Sequence, residues 1–138
     1  MAKISGLAGT IIVADATPTN RTITNDCTNY SWGTPRGTQD ITGVDKNAHE
    51  TLLLLADYTV TINGVFNSAA NLSHAVFSTV SSTSVVRAVS IAPTSNSSTP
   101  IMTCNCQLTD YQITRANTGE LTWQVPGQLA DGAVPTWA

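Results

Sequence analysis

Tyr58-Thr59-Val60-Thr61-Ile62 puts its apolar members on one side of an extended chain and its threonines on the other, because successive side chains of a strand point to opposite faces. This is the pattern of an antiparallel sheet packed on one face only. Similar Thr- and Val-rich alternation, punctuated by Gly, Pro and Asn, predicts strands over residues 9–16, 21–29, 39–44, 58–66, 84–92, 101–116 and 120–125. Asn117-Thr118-Gly119 breaks the last two and predicts a short hairpin, with Gly119 where a positive φ is needed.

One segment changes period. Leu72, Ala75, Val76, Thr79 and Val80 recur at steps of three and four, which predicts a short amphipathic helix capped near Ser68. Leu52-Leu53-Leu54-Leu55 either continues a helical turn or forms a strand buried on both faces, and the extended reading is preferred. Residues 93–100 and 29–38, rich in Pro, Ser, Asn and Gly, read as solvated loops. The fold class is therefore mainly β: an antiparallel sandwich or open barrel with one short flanking helix, in a single domain spanning 1–138.

Composition narrows the function. Charged residues are 11 % of the chain and the net charge is −3, with the six basic residues scattered singly. Such a surface has no electrostatic footprint for gripping phosphate. The leucine run is far shorter than a bilayer-spanning helix requires, so no membrane span is expected. Three cysteines, Cys27, Cys104 and Cys106, are an odd count that argues for reduced thiols.

Catalytic and metal motifs are missing. His49-Glu50 opens like a zinc-protease helix, but Leu53 stands three residues after Glu50 and no second ligand follows. Asp45, Asn47 and Glu50 lack the glycine and the distant glutamate of a calcium loop. Asp110 and Glu120 read as the polar face of a hairpin rather than a glycosidase pair. Neither catalytic residues nor cofactors are expected. Trp123 falls on the apolar side of its alternation and is read as core. Trp137, too large to leave in water, implies a tail docked on its own domain or on a neighbour.

The order of features resembles the major tail (tail tube) proteins of long non-contractile-tailed phages, especially those of actinobacteria. The resemblance is carried by Gln39-Asp40-Ile41-Thr42-Gly43-Val44-Asp45-Lys46, Leu52-Leu53-Leu54-Leu55-Ala56-Asp57, Val60-Thr61-Ile62-Asn63-Gly64-Val65-Phe66-Asn67, Ser73-His74-Ala75-Val76-Phe77, Leu108-Thr109-Asp110-Tyr111 and Gly119-Glu120-Leu121-Thr122-Trp123-Gln124-Val125-Pro126-Gly127, over roughly residues 39–137. It implies a virion structural protein, not an enzyme, that assembles in the host cytoplasm as hexameric rings stacked into a tail tube. Other tail proteins would be its partners, and DNA would pass through the lumen without tight binding. A compact chain of this size has a radius of gyration of about 14 Å, so six touching spheres enclose a hole roughly 35 Å across. A duplex about 20 Å wide fits. Expected inter-subunit contacts are Tyr30, Trp32, Pro35 and Arg36 in the 29–38 loop, the N-terminal arm (about 1–8), and Leu129, Val134 and Trp137 in the C-terminal tail (about 127–138). The alternatives are a virion decoration or head-tail joining subunit, or a carbohydrate-binding β-sandwich resting on the tryptophans.

Overall fold

The computed structural model of the chain describes residues 3–94 and 100–137. Its strands are β1 (Thr10–Ala14), β2 (Asn20–Thr22), β3 (Cys27–Gly33), β4 (Arg36–Asp40), β5 (Thr51–Ala56), β6 (Thr59–Val65), β7 (Arg87–Ala92), β8 (Met102–Leu108), β9 (Gln112–Arg115), β10 (Leu121–Leu129) and β11 (Thr136–Trp137). The helix is α1 (Ser73–Phe77), and a 3-10 turn covers Thr24–Asp26. Nine strands form one antiparallel sheet in the order β2-β1-β7-β8-β10-β6-β3, with β9 beside β10 and β11 beside β8. Among the described residues β4 and β5 pair only with each other.

The sheet is open, since β2 and β3 lie at opposite ends of the strand order. It nevertheless encloses one core: Ile11 and Val13 of β1 join Val60 and Ile62 of β6 and Trp123 and Val125 of β10 in a single buried cluster. Strands this distant in order share a core only when the sheet curls. Period two is clearest in β8, where Met102, Cys104, Cys106 and Leu108 are buried and Thr103, Asn105 and Gln107 exposed.

β10 organises the curl. Its first half pairs with β9 (Leu121↔Arg115 to Gln124↔Gln112), its last part pairs on the same side with β8 (Gly127↔Leu108 to Leu129↔Cys106), and β6 runs along its other edge. Pro126 stands at the fork, where its carbonyl accepts from the Thr109 backbone N–H (3.1 Å) and the proline has no N–H to return, so pairing with β8 begins only at Gly127. The strand predicted to stop at Val125 therefore continues to Leu129, so the tail begins three residues later than its expected start at Gly127.

Other predicted boundaries are corrected for equally local reasons. The 101–116 strand breaks at 109–111 into β8 and β9, and the 84–92 strand begins only at Arg87. The 39–44 strand ends at Asp40, whose carboxylate turns the chain by accepting from the Thr42 N–H (2.9 Å). The 21–29 strand is split by the 3-10 turn, which carries the buried carboxylate of Asp26 inward to meet α1. The helix has five residues and no side-chain cap, so Ser68 plays no capping part. Residues 29–38 are not a loop: β3 runs to Gly33 with Tyr30 opposite Ile62 and Trp32 opposite Val60, and β4 follows. The centre of the predicted 93–100 loop lies outside the described residues.

Candidate assembly surface

β3 and β6 do not end together in a turn. Beyond Gly33 and Thr59 the same two chain directions continue as β4 and β5, joined to the body at a corner where the Asp57 N–H donates to the Pro35 carbonyl (2.8 Å). This second ribbon is an arm. A residue is inserted between Arg36↔Ala56 and Thr38↔Leu53, and there the Arg36 guanidinium donates from Nε and Nη2 to the Leu54 carbonyl (3.1 and 2.9 Å). The bulge is thus held by a charged donor. At the arm tip the Thr42 hydroxyl and N–H hold the Asp40 carboxyl below the usual carboxylate range.

The arm carries the largest departure from expectation. Leu52, Leu53, Leu54 and Leu55 are a strand, but one exposed on both faces, at 49, 55, 42 and 89 %. Its partner is Arg36-Gly37-Thr38-Gln39-Asp40, which offers no apolar side chain to cover them. Four consecutive exposed leucines of this kind mark a candidate interaction surface.

The residues expected at contacts fall into groups. Trp32 stacks on buried Tyr58 at 6.0 Å between ring centroids and meets Trp137 at 5.0 Å, while the Leu129 N–H donates to the Tyr58 carbonyl (3.0 Å). Trp137 belongs to β11, whose register is Trp137↔Met102, so the tail docks on its own chain and still leaves 53 % of that residue exposed. Pro35 and Arg36 form the corner of the arm, Val134 is exposed within the tail, and Tyr30 lines a separate groove of about 400 Å³ with Gly6, Ala8 and Ile11. Leu52 to Leu55 were missed as contact residues. The available signal was the leucine-free partner segment, since a strand buried on both faces needs apolar strands beside it.

The outward face of the nine-stranded sheet has a uniform chemistry. Across it run Thr59, Thr61 and Asn63 of β6, Thr122, Gln124 and Gln128 of β10, Thr103, Asn105 and Gln107 of β8, and Asn29 and Ser31 of β3. Neighbours bond sideways: Asn63 Nδ2 donates to Asn29 Oδ1 (2.6 Å), and the Ser90 and Thr103 hydroxyls are 3.1 Å apart. The charged residues in these strands, Arg21, Arg87 and Arg115, are in register with the inward-side Val13, Cys106 and Leu121. The strands of the outward face therefore present amides and hydroxyls, and the charge that meets them is a carboxylate, Asp131, which accepts from Asn105 Nδ2 (2.8 Å).

Groups with reactive potential are occupied locally. Burial pushes the Cys27 thiol up to about 11 and raises Cys104 and Cys106 as well, which keeps all three neutral near pH 7. His49 faces Asp40 at the arm tip (3.5 Å), whereas His74 lies against the Tyr111 hydroxyl (3.3 Å). Asp110 accepts from the Tyr111 N–H, and Glu120 from the Thr118 hydroxyl. Among the described residues no group of three or more His, Cys, Asp or Glu is placed to hold a metal ion.

Comparison with known proteins places the fold. No family model matches the chain, and no curated protein matches it in sequence. Solved structures do. The chain is similar to a subunit in the tail of an empty gene transfer agent particle refined with C6 helical symmetry, at 17 % identity and a TM-score of 0.68 over 94 % of this chain and 95 % of that one. It is similar to a chain of the native gene transfer agent virion, at 15 % identity and a TM-score of 0.67 over 94 and 95 %. A chain of the six-fold symmetrised anti-feeding prophage baseplate gives 11 % identity and a TM-score of 0.61 over 95 and 92 %.

Proposed function

We propose that this chain is a structural subunit that polymerises with its own copies into a tail-type tube, built of stacked six-membered rings, through which DNA passes. It would act in the virion tail after assembly in the host cytoplasm, alongside other tail proteins. The observation that carries the reading is the β4–β5 arm, whose leucines on both faces are left exposed by the described residues. Support comes from a likeness spanning more than nine-tenths of both chains to a six-fold symmetric tail. The N-terminal arm, Tyr30, Trp32, Pro35, Arg36, Leu129, Val134 and Trp137 are proposed to add contacts around the leucine arm.

The carbohydrate-binding reading keeps one of its three indoles as a platform: Trp123 is buried and Trp32 packs against Trp137, which is itself 53 % exposed. Purified protein treated with chelator is expected to sediment as large assemblies and to show six-fold rings or tubes by negative-stain microscopy. A protein that stays monomeric at every concentration and salt overturns the reading. Single rings that never stack favour a joining subunit instead.

The outward face, whose strands carry no cation among the described residues, yields a second expected outcome. Tight DNA binding comes from neutralising phosphates, and this face has no cation with which to do so. Filter binding of duplex DNA to the assembled protein is expected to show no retention at about 50 mM salt and no slope towards about 200 mM. Retention that falls steeply with salt would show a cationic surface in the assembly and contradict free passage.

A further inference from the structure

We infer that Cys104 and Cys106, with the Tyr58 hydroxyl beside them, form a two-coordinate site for a soft monovalent cation of the Cu(I) class, reached through a cleft under the C-terminal segment. The site follows from β8. Alternation turns Met102, Cys104 and Cys106 to the inward face, so the sulfurs of the strand line one row of the core. The Cys106 thiol donates weakly to the Cys104 carbonyl (3.7 Å), and the two thiols interact directly. Leu129 of β10 stands opposite Cys106, and its N–H donates to the Tyr58 carbonyl (3.0 Å), which sets Tyr58 across β10 from the thiols. Tyr58 is 0 % exposed, yet its hydroxyl has no hydrogen-bond partner among the described residues. The ionisable groups within its reach are Cys106 and then Cys104. A buried hydroxyl left unmet is costly and calls for an explanation.

The spacing selects the chemistry. Same-face neighbours on a strand start about 6.6 Å apart at Cα. That is near the far limit for a disulfide, whose Cα atoms usually lie about 5.5 to 6 Å apart. It suits a linear sulfur–metal–sulfur unit about 4.6 Å long, twice a metal–thiolate bond of about 2.3 Å. Among the described residues no third His, Cys, Asp or Glu is placed to join the two thiols, so neither the four-ligand shell of zinc nor the oxygen shell of calcium can be completed. Soft sulfur ligands in low number select Cu(I). On binding, each thiol gives up its proton and both sulfurs bond to the ion, so one cation and two thiols yield a singly negative dithiolate complex and two protons. The Tyr58 O–H then donates to the Cys106 sulfur and meets that charge, as outer hydrogen bonds to metal ligands do. Entry is from the edge of β8. Cys104 lines a cavity of about 180 Å³ with Asp131 and Pro135, between the end of β10 and β11. It is the outer thiol, 6 % exposed, and Cys106 lies behind it at 0 %. Asp131 and Asp57 both act on Cys104, and their negative charge favours a cation at this entrance.

The test titrates the reduced chain anaerobically, in chloride-free buffer, with Ag(I) nitrate and with Cu(I) as its acetonitrile complex. Expected are one tightly bound ion per chain, two protons released with it, thiolate-to-metal absorption in the ultraviolet and a raised melting temperature, all retained in Cys27→Ser. Cys104→Ala and Cys106→Ala are expected to abolish uptake. Tyr58→Phe removes only the unpartnered hydroxyl, so it is expected to fold as wild type does and to bind about 10-fold more weakly. Should an alanine variant not fold, X-ray absorption of the silver-loaded wild type decides. Two thiolate sulfurs around the ion, with or without the Met102 thioether, support the site, and fewer than two overturn it. No uptake by the reduced wild type, uptake lost in Cys27→Ser, or wild-type affinity in Tyr58→Phe also overturns it.

Discussion

Trp123→Ala is expected to lower the free energy of unfolding by about 3 to 5 kcal/mol, the usual cost of removing a large aromatic from a packed core. The residue is 2 % exposed, its ring lies 5.0 Å from that of Phe77, and its Nε1–H donates to the Val65 carbonyl (2.9 Å). Truncation therefore removes packing and a hydrogen bond together. Gly64→Ala attacks the same place from the opposite side. A Cβ at Gly64 would fall 2.2 Å from the Asp26 carbonyl oxygen and 2.4 Å from Trp123 Cζ2, and the carbonyl belongs to backbone that cannot swing away. Overpacking of this kind typically costs about 1 to 3 kcal/mol. Because the indole is one of the two clashing groups, the double variant is expected to be less destabilised than the two single effects added together. Urea midpoints with a constant m-value read all three. An unchanged midpoint for Trp123→Ala would show an exposed indole and revive a sugar platform.

This corner also shows what a sequence reveals and what it withholds. Strands with one face on the core carry their own label: β6, β8 and β10 alternate so regularly that their inward residues are read directly, and Gly119 does adopt the positive φ its hairpin requires (100°). β3 was hidden because Asn29, Tyr30, Ser31 and Trp32 alternate polar with amphipathic rather than polar with aliphatic, a pattern that a loop also produces. The leucine run read as extended, which is right, and as buried, which is wrong for this chain by itself. Hydrophobicity reports that a surface leaves water, not which molecule covers it. Leu52 to Leu55 therefore look like core to any argument confined to one chain, and the candidate surface became visible only once the body of the fold was seen to leave them out.

Arg87 left no signal either, and its replacement is the second large effect expected. The side chain is 1 % exposed inside a sheet, where an isolated charge is costly unless its hydrogen bonds are met. They are met at the end of α1: Nη1 donates to the Val76 carbonyl (2.5 Å) and Nη2 to the Thr79 hydroxyl (2.8 Å). At the other end of the helix, Asp26 accepts from the Ser73 N–H (3.0 Å) and from Asn67 Nδ2 (2.8 Å). An acid at the first turn and a base at the last complement the helix dipole and satisfy terminal groups that a five-residue helix cannot satisfy itself. So short a helix is not stable alone, which makes these two side chains and the burial of Val76 and Phe77 its support. Each hydrogen bond to a charged group contributes about 1.5 to 3 kcal/mol, and each of the two side chains makes two, so Arg87→Ala and Asp26→Ala are each expected to cost about 3 kcal/mol or more. If α1 forms or melts as a unit, the second loss falls on a helix already released. The double variant should then lose at least about 1 kcal/mol less than the two single losses combined. Strict additivity in denaturant midpoints would show instead that each end of the helix is held independently.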